Sequence, residues 1–254
     1  MTTNLTQEKG LFDIIGDIHG CFDELYQLLS KLGYGLHNDG NHYLVTHPQQ
    51  RKVIFVGDLV DRGPKTPEVL RLVMDMVETG IAICVNGNHD DKLKRYLQGH
   101  NVKVAHGLEE SITQLSCESA AFKERVLNFL AHLPSHCVVD GGKLAIVHAA
   151  LKEAYMGRES ASIRAFCMYG PTTGEIDHYG LPVRYPWAQD YQGNTLIVYG
   201  HTPIPDPQWI NNTINIDTGC VFGGKLTALR YPEKELISEK AAQIYCVPTK
   251  PIEA

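Results

Sequence analysis

The sequence has no C-x-x-C pair, and its seven cysteines are odd in number and widely spaced. That excludes a disulfide framework and a zinc ribbon, and it favours a reducing compartment. No apolar run approaches the ~20 residues that a membrane helix needs; the longest, at 81–85 and 144–147, have the length of strands. The first ten residues, MTTNLTQEKG, lack the apolar stretch of a secretory signal. A soluble, cytoplasmic protein with no membrane partner is therefore expected. Positive charge is scarce: 23 Lys and Arg stand against 29 Asp and Glu, a net charge of −6. Such a surface has no global field to draw in nucleic acid or an anionic membrane, so an anionic ligand would depend on local groups. Repeats, low-complexity tracts and linkers are absent, and so is a G-x-x-x-x-G-K-[ST] phosphate loop.

What is present is an alternation of short apolar runs with helical periodicity. Residues 1–10 are expected to form a disordered lead-in, and 11–254 a single domain. Strands are expected at 11–15, 53–56 and 81–85, each ended by glycine or Asn-Gly. Helices are expected from Phe22 to Leu32, closed by Gly33, and after Pro64 and Pro67. Asp39-Gly40 marks a hairpin near 38–46, and Gly141-Gly142 another between 138–139 and 144–147. The middle, 89–133, reads as helical and 151–193 as a loop-rich insertion. Late strands are expected at 196–199, 213–216, 226–229 and 244–247. Continuous rather than alternating apolar strands between helices indicate an α/β fold with a mostly parallel sheet buried on both faces.

Polar residues of one kind follow the strands. Gly16-Asp17-Ile18-His19-Gly20 follows the first, and Gly57-Asp58-Leu59-Val60-Asp61-Arg62-Gly63 the second. Gly87-Asn88-His89-Asp90, His148 and Gly200-His201-Thr202 follow later ones. Open α/β sheets place their ligands at strand ends. Carboxylate, amide and imidazole donors suit Mn, Fe, Zn or Ni ions rather than a thiolate site. Two aspartates and several histidines exceed the needs of one ion, and a pair about 3.5–4 Å apart, bridged by a carboxylate, uses them all. Each segment alone has a plainer explanation: Asp17 as a helix cap, Gly87-Asn88 as a turn, His148 as a core histidine. Their succession, each after a strand, favours a metal centre.

GDIHG, GDLVDRG, GNHD, VHAA and YGHT resemble the signature of calcineurin-like metallophosphoesterases, in the protein serine/threonine phosphatase branch, over residues 12–231. NGNHDDKLKRYLQG, LPVRYPWAQDYQG and INIDTGCVFGGKLTALRYPEKE resemble two groups within it. One is the bacterial bis(5′-nucleosyl)-tetraphosphatases; the other is the phosphatase domain of bacterial polynucleotide kinase-phosphatase. The resemblance implies two packed mixed β-sheets flanked by helices, a four-layer α/β/β/α sandwich. It implies two divalent ions, Mn²⁺ foremost, with Ni²⁺, Fe or Zn²⁺ as alternatives. Asp17 and His19 would hold the first ion, Asp58 both, and Asn88, His148 and His201 the second. His89 would be the general acid, oriented by Asp61, with Arg62, Asn88 and Arg184 on the phosphate. Asp217 would support a histidine ligand from behind, and Tyr185, Trp187 and Tyr191 would offer stacking surfaces. Many members carry glutamate where this chain has Asp90. The substrate implied is a dinucleoside polyphosphate, then a polynucleotide end or 2′,3′-cyclic phosphate, then a phosphoprotein. An RNA-repair role would need a kinase or ligase on a separate chain.

Overall fold

Three apolar layers explain why the strands read as unbroken hydrophobic runs. The computed structural model describes residues 3–252. Its first half contains β1 (Phe12–Ile15), α1 (Phe22–Leu32), β2 (Gly35–Asn38), β3 (Tyr43–Thr46), β4 (Lys52–Phe55), α2 (Thr66–Glu78), β5 (Ala82–Cys84), α3 (Asn88–Leu97), α4 (Leu108–Ser116) and α5 (Ala120–Ala131). There follow β6 (His136–Val139), β7 (Leu144–Val147), α6 (Ala161–Tyr169), β8 (Thr172–Ile176), β9 (Pro182–Arg184) and α7 (Trp187–Asp190). The chain continues through β10 (Leu196–Tyr199), β11 (Trp209–Ile210), β12 (Thr213–Asn215), β13 (Lys225–Tyr231) and β14 (Glu235–Lys240).

Two five-stranded sheets form the centre, in the orders β14-β13-β1-β4-β5 and β11-β12-β10-β7-β6. In the first, β1, β4 and β5 are parallel and β13 and β14 antiparallel. In the second, β7, β10 and β12 are parallel and β6 and β11 antiparallel. Both sheets are therefore mixed, with parallel centres and antiparallel edges. Successive residues of a strand enter different layers. Phe12, Ile14, Ile54 and Val56 meet Leu144, Ile146, Val198 and Ile214 between the sheets. Ile15, Val53 and Phe55 turn outward onto Leu25, Leu28 and Leu29 of α1 and Val69, Leu70 and Val73 of α2. On the other flank, Ala145, Val147 and Ile197 pack on Ile163 and Cys167 of α6. Each such side chain contributes about 1.5–3 kcal/mol when fully buried. The result is the α/β/β/α sandwich. No helix among the described residues is long and apolar enough to cross a membrane.

One polar cluster lies deep in the first sheet. Arg51, 1% exposed, donates to Asp13 on β1 (2.9 Å), to Glu233 (2.8 Å) and to the carbonyls of Phe12 and Tyr231. Arg230 and the Tyr34 hydroxyl complete the shell of Asp13, at 3.1 and 3.0 Å. Every oxygen of the buried carboxylate is thus paired, as burial of charge demands.

Three expectations are corrected. The described part of the lead-in is held rather than disordered: the Leu5 N–H donates to the Val138 carbonyl, the Val138 N–H to the Thr3 carbonyl, and the Asp140 N–H to the Glu8 carbonyl. Met1 and Thr2 lie outside the described residues. The insertion at 151–193 contains α6, the β8–β9 hairpin and α7. No strand forms at 244–247; the last strand is β14, an edge whose charged ELISEK sequence carries no apolar alternation.

Candidate metal centre

The parallel strands of both sheets end on one side of the sandwich. The turns after β1, β4, β5, β7, β10 and β12 deliver Asp17 and His19, Asp58 to Arg62, Asn88 and His89, His148, His201, and Asp217. Ile18 and His19 donate their backbone N–H groups to the Asp58 carbonyl at 3.1 and 2.9 Å, which joins the first two turns. Five of the ten non-glycine residues with positive φ among those described are here: His19, Asp58, Asp61, Arg62 and His201. Left-handed backbone costs roughly 1–2 kcal/mol per such residue, and its concentration at one place marks a site built for geometry over stability. Two glycines permit the close approach. A Cβ on Gly87 would lie 2.2 Å from Asp58 Oδ1, and one on Gly200 would lie 2.0 Å from Asp17 Oδ1.

Asp58 is central. Its Oδ2 is 3.5 Å from His19 Nε2 and 3.4 Å from His148 Nε2. Two donor groups share it: His19, Asp58 and His89, and Asp58, His148 and His201, each with ligand atoms within 4.8 Å of one another. His148 Nε2 is also 2.9 Å from Asn88 Oδ1 and 3.0 Å from His201 Nδ1. The ring orientations are fixed from behind. His19 Nδ1 faces the Val60 carbonyl at 2.8 Å, His148 Nδ1 the Val56 carbonyl at 3.1 Å, and His89 Nδ1 the Asp61 carboxylate at 2.6 Å. With protons on these Nδ1 atoms, each Nε2 lone pair turns inward. The Arg62 guanidinium already uses two of them, donating to His19 Nε2 (2.6 Å) and His89 Nε2 (2.9 Å). A cation thus sits among the converging nitrogens.

The charges fit divalent ions as well. Asp17, Asp58, Asp90 and Asp217 are all buried. Burial, then the charges of Asp217 and Asp58, pushes the Asp17 carboxyl well above its ordinary range. Burial and Asp58 push Asp90 up to about 7, and burial chiefly takes Asp217 to about 6. Burial opposes ionisation of Asp58 too, but His148 and His89 overcome it and hold its carboxyl well below the usual range. Three buried acids held high signal surroundings short of positive charge, which ions of charge +2 correct. His201 Nε2 is buried without a partner, a further free donor. The oxygen and imidazole set therefore fits two divalent ions.

Most of the expected residues meet here. Asp17 stands slightly behind: its oxygens take the His201 N–H at 3.1 and 3.3 Å, and it lies 4.0 Å from His148 Nδ1. Arg184 lines the same cleft, donating to the Tyr169 carbonyl. Asp217 is in the cleft, but its carboxylate accepts the Gly219 N–H at 3.0 Å, not a histidine proton. Tyr185, Trp187 and Tyr191 line a separate cavity of about 560 Å³. Sequence reasoning missed Asp90 and Ser111. Asp90 accepts the N–H groups of Asp58, Leu59 and Gly87 at 2.8–3.0 Å and so locks two loops together. Ser111 donates to Asp61 Oδ1 at 2.7 Å. The cleft, about 1060 Å³, is walled by Lys92, Arg95 and Lys103 on one side and by tail residues 246–252 on another.

The model of the calcineurin-like phosphoesterase family matches residues 11–209. A protein of Anoxybacillus flavithermus named bis(5′-nucleosyl)-tetraphosphatase PrpE (asymmetrical) is 46% identical over 92% of this chain and 96% of its own. A Geobacillus protein of the same name is 45% identical, over 94% and 97%. A protein serine/threonine phosphatase structure from Saccharomyces cerevisiae superposes with a TM-score of 0.61 over 94% of this chain and 82% of its own. At 15% identity that likeness concerns the fold alone. The family model, the identities and the paired donor groups agree: the chain is a metal-dependent phosphoesterase of the calcineurin-like family, among the relatives of the PrpE-type bis(5′-nucleosyl)-tetraphosphatases.

Proposed function

We propose that this enzyme cleaves bis(5′-nucleosyl) tetraphosphates asymmetrically, to a nucleoside triphosphate and a nucleoside monophosphate, with two Mn²⁺ ions. The position of Asp58 between two imidazole groups carries the two-ion part of this reading. The substrate rests on the names of the relatives and on the cleft. Arg62, Lys92, Arg95, Lys103, Arg184 and Lys250 line it beside Glu109, Glu110 and Asp177, so an acidic chain still offers a polyphosphate several local cations. The seven unpaired cysteines fit a reducing cytoplasm.

In this reading Asp17, His19 and Asp58 hold one ion, and Asp58, Asn88, His148 and His201 the other. When bound, such a pair supplies a water of lowered pKa and polarises the phosphoryl oxygens. The chain's own residues do the rest. Arg62 turns its guanidinium from the histidines to the phosphoryl oxygens, where charge builds in the transition state. The Asn88 amide NH₂ group and Arg184 orient the same phosphate. His89 gives the proton on Nε2 to the departing oxygen, while Asp61 steadies the ring at Nδ1 and is itself steadied by Ser111. Asp217 adds negative charge behind the ions.

An assay with Mn²⁺ and diadenosine tetraphosphate tests the reading, beside an RNA with a 3′-phosphate or 2′,3′-cyclic end and a phosphopeptide. ATP and AMP in equal amounts are expected, at a higher kcat/KM than on the other two substrates. ADP as the sole product, or faster turnover of the RNA end or phosphopeptide, would reject it.

A further inference from the structure

Among the described residues, one more cluster of metal-donor atoms stands outside the catalytic groups. Cys21, Glu24 and Cys220 bring two sulfurs and a carboxylate oxygen within 4.8 Å of one another. Their exposures are 0%, 3% and 1%, so all three face the interior. Cys21 leads into α1, Glu24 lies in its first turn, and Cys220 follows the turn after β12.

Glu24 supplies an independent observation. Its Oε1 accepts the Ala242 N–H at 2.9 Å and the Tyr245 hydroxyl at 2.8 Å. Its Oε2 is buried and has no partner. Lys65, a cation near this end of α1, pairs with Asp23 at 2.8 Å instead. A buried carboxylate oxygen left unsatisfied costs about 1–3 kcal/mol, and more when charged. A cation beside the two sulfurs would satisfy it.

We propose that Cys21, Cys220 and Glu24 bind a borderline-soft divalent cation, Zn²⁺, at a site distinct from the catalytic pair. The ligand chemistry separates the two sites. Sulfur donors favour zinc over manganese, whereas the oxygen and imidazole donors around Asp58 accept the harder ion. At Zn–S distances of ~2.3 Å the two sulfurs stand ~3.8 Å apart, inside the 4.8 Å that already encloses the donor atoms. Three protein donors leave one tetrahedral position for water. The ion fastens three segments at once: the turn carrying Asp17 and His19, the turn carrying Asp217, and, through Glu24, the tail that walls the cleft.

Cobalt is the probe, because thiolate ligation gives Co²⁺ an intense near-ultraviolet charge-transfer band that oxygen and nitrogen ligands do not. The full chain is kept reduced with a phosphine, loaded with Mn²⁺, and titrated with Co²⁺. The band is expected in the wild type, with an amplitude that corresponds to one thiolate-bound Co²⁺ per chain whatever Co²⁺ replaces Mn²⁺ at the catalytic groups. It is expected to vanish in Cys220→Ser, persist in Cys246→Ser, and require about tenfold more Co²⁺ or beyond in Glu24→Gln. Absence of the band in the wild type overturns the proposal, as does its survival in Cys220→Ser. A Cys21–Cys220 disulfide in the isolated protein, found by non-reducing peptide mapping, overturns it equally. If Cys220→Ser loses its fold by circular dichroism, the isosteric Glu24→Gln decides, and an unchanged cobalt affinity there is a refutation.

Discussion

Replacing Asp61 by asparagine tests the proton path with little steric change. Asp61 is fully buried, with one oxygen 2.6 Å from His89 Nδ1 and the other taking the Ser111 hydroxyl at 2.7 Å. Asparagine keeps the shape and an acceptor but removes the negative charge that faces His89 Nδ1. A charge-assisted hydrogen bond is worth about 1.5–3 kcal/mol and a neutral one about 0.5–1.5. The difference, about 1–2 kcal/mol, is about a 5- to 30-fold fall in kcat. That fall belongs only to reactions that need an acid. Phenyl phosphate, whose phenolate has a pKa near 10, is expected to lose the full factor. Nitrophenyl phosphate, with a better leaving group, is expected to lose little. The assay is kcat over a series of aryl phosphates at saturating Mn²⁺, with and without the substitution. A steeper dependence on leaving-group pKa is expected. Equal loss on every substrate would refute the role of His89 as acid and of Asp61 as its support.

Four further outcomes are expected. Asp58→Ala removes the shared carboxylate and is expected to cut kcat about 10³-fold or more while circular dichroism keeps its native shape. Chelation followed by dialysis should abolish activity, Mn²⁺ should restore it, and saturation at about 100 times Kd should raise the unfolding free energy by about 2.7 kcal/mol for each ion bound. Arg51→Met leaves Asp13 buried with half its partners and is expected to lower stability by about 3–5 kcal/mol in urea titrations. His136 is fully buried, and burial lowers its pKa to about 4. The unfolded chain then binds more protons between about pH 4 and 6.5, so stability is complete above that window and falls as the pH drops through it, by about 3 kcal/mol in all. His136→Gln should flatten that slope in denaturation curves measured at several pH values.

The candidate site residues were legible because each follows its strand directly. The chemistry of Asp17, Asp58, His148 and His201 is written in segments of a few residues, and the buried strands before them announce where those segments point. What escaped depends on partners distant in sequence. Ser111 lies on a helix 50 residues from Asp61 and belongs to no motif. Asp90 looked like a variant of a familiar position, whereas its carboxylate is a clamp on three backbone N–H groups. The division into two sheets, which the family resemblance implied, rests on pairings such as Phe12 with Tyr231 that no local pattern encodes. At 244–247 an apolar run imitated a strand, yet Ile244 and Val247 are 66% and 81% exposed. Their neighbours serve the cleft instead.

That tail has a practical consequence at the bench. Residues 246–252 form part of the cleft wall, so a segment fused after residue 254 starts two residues in sequence beyond that wall. A C-terminal hexahistidine tag would carry imidazoles to within reach of a site that collects imidazole-binding ions. Metal stoichiometries measured on such a fusion would mix the tag's ions with the enzyme's, and turnover would fall as the tag crowded the entrance. Cleaving the tag should restore both, and the size of the change would measure how closely the tail borders the reacting phosphate.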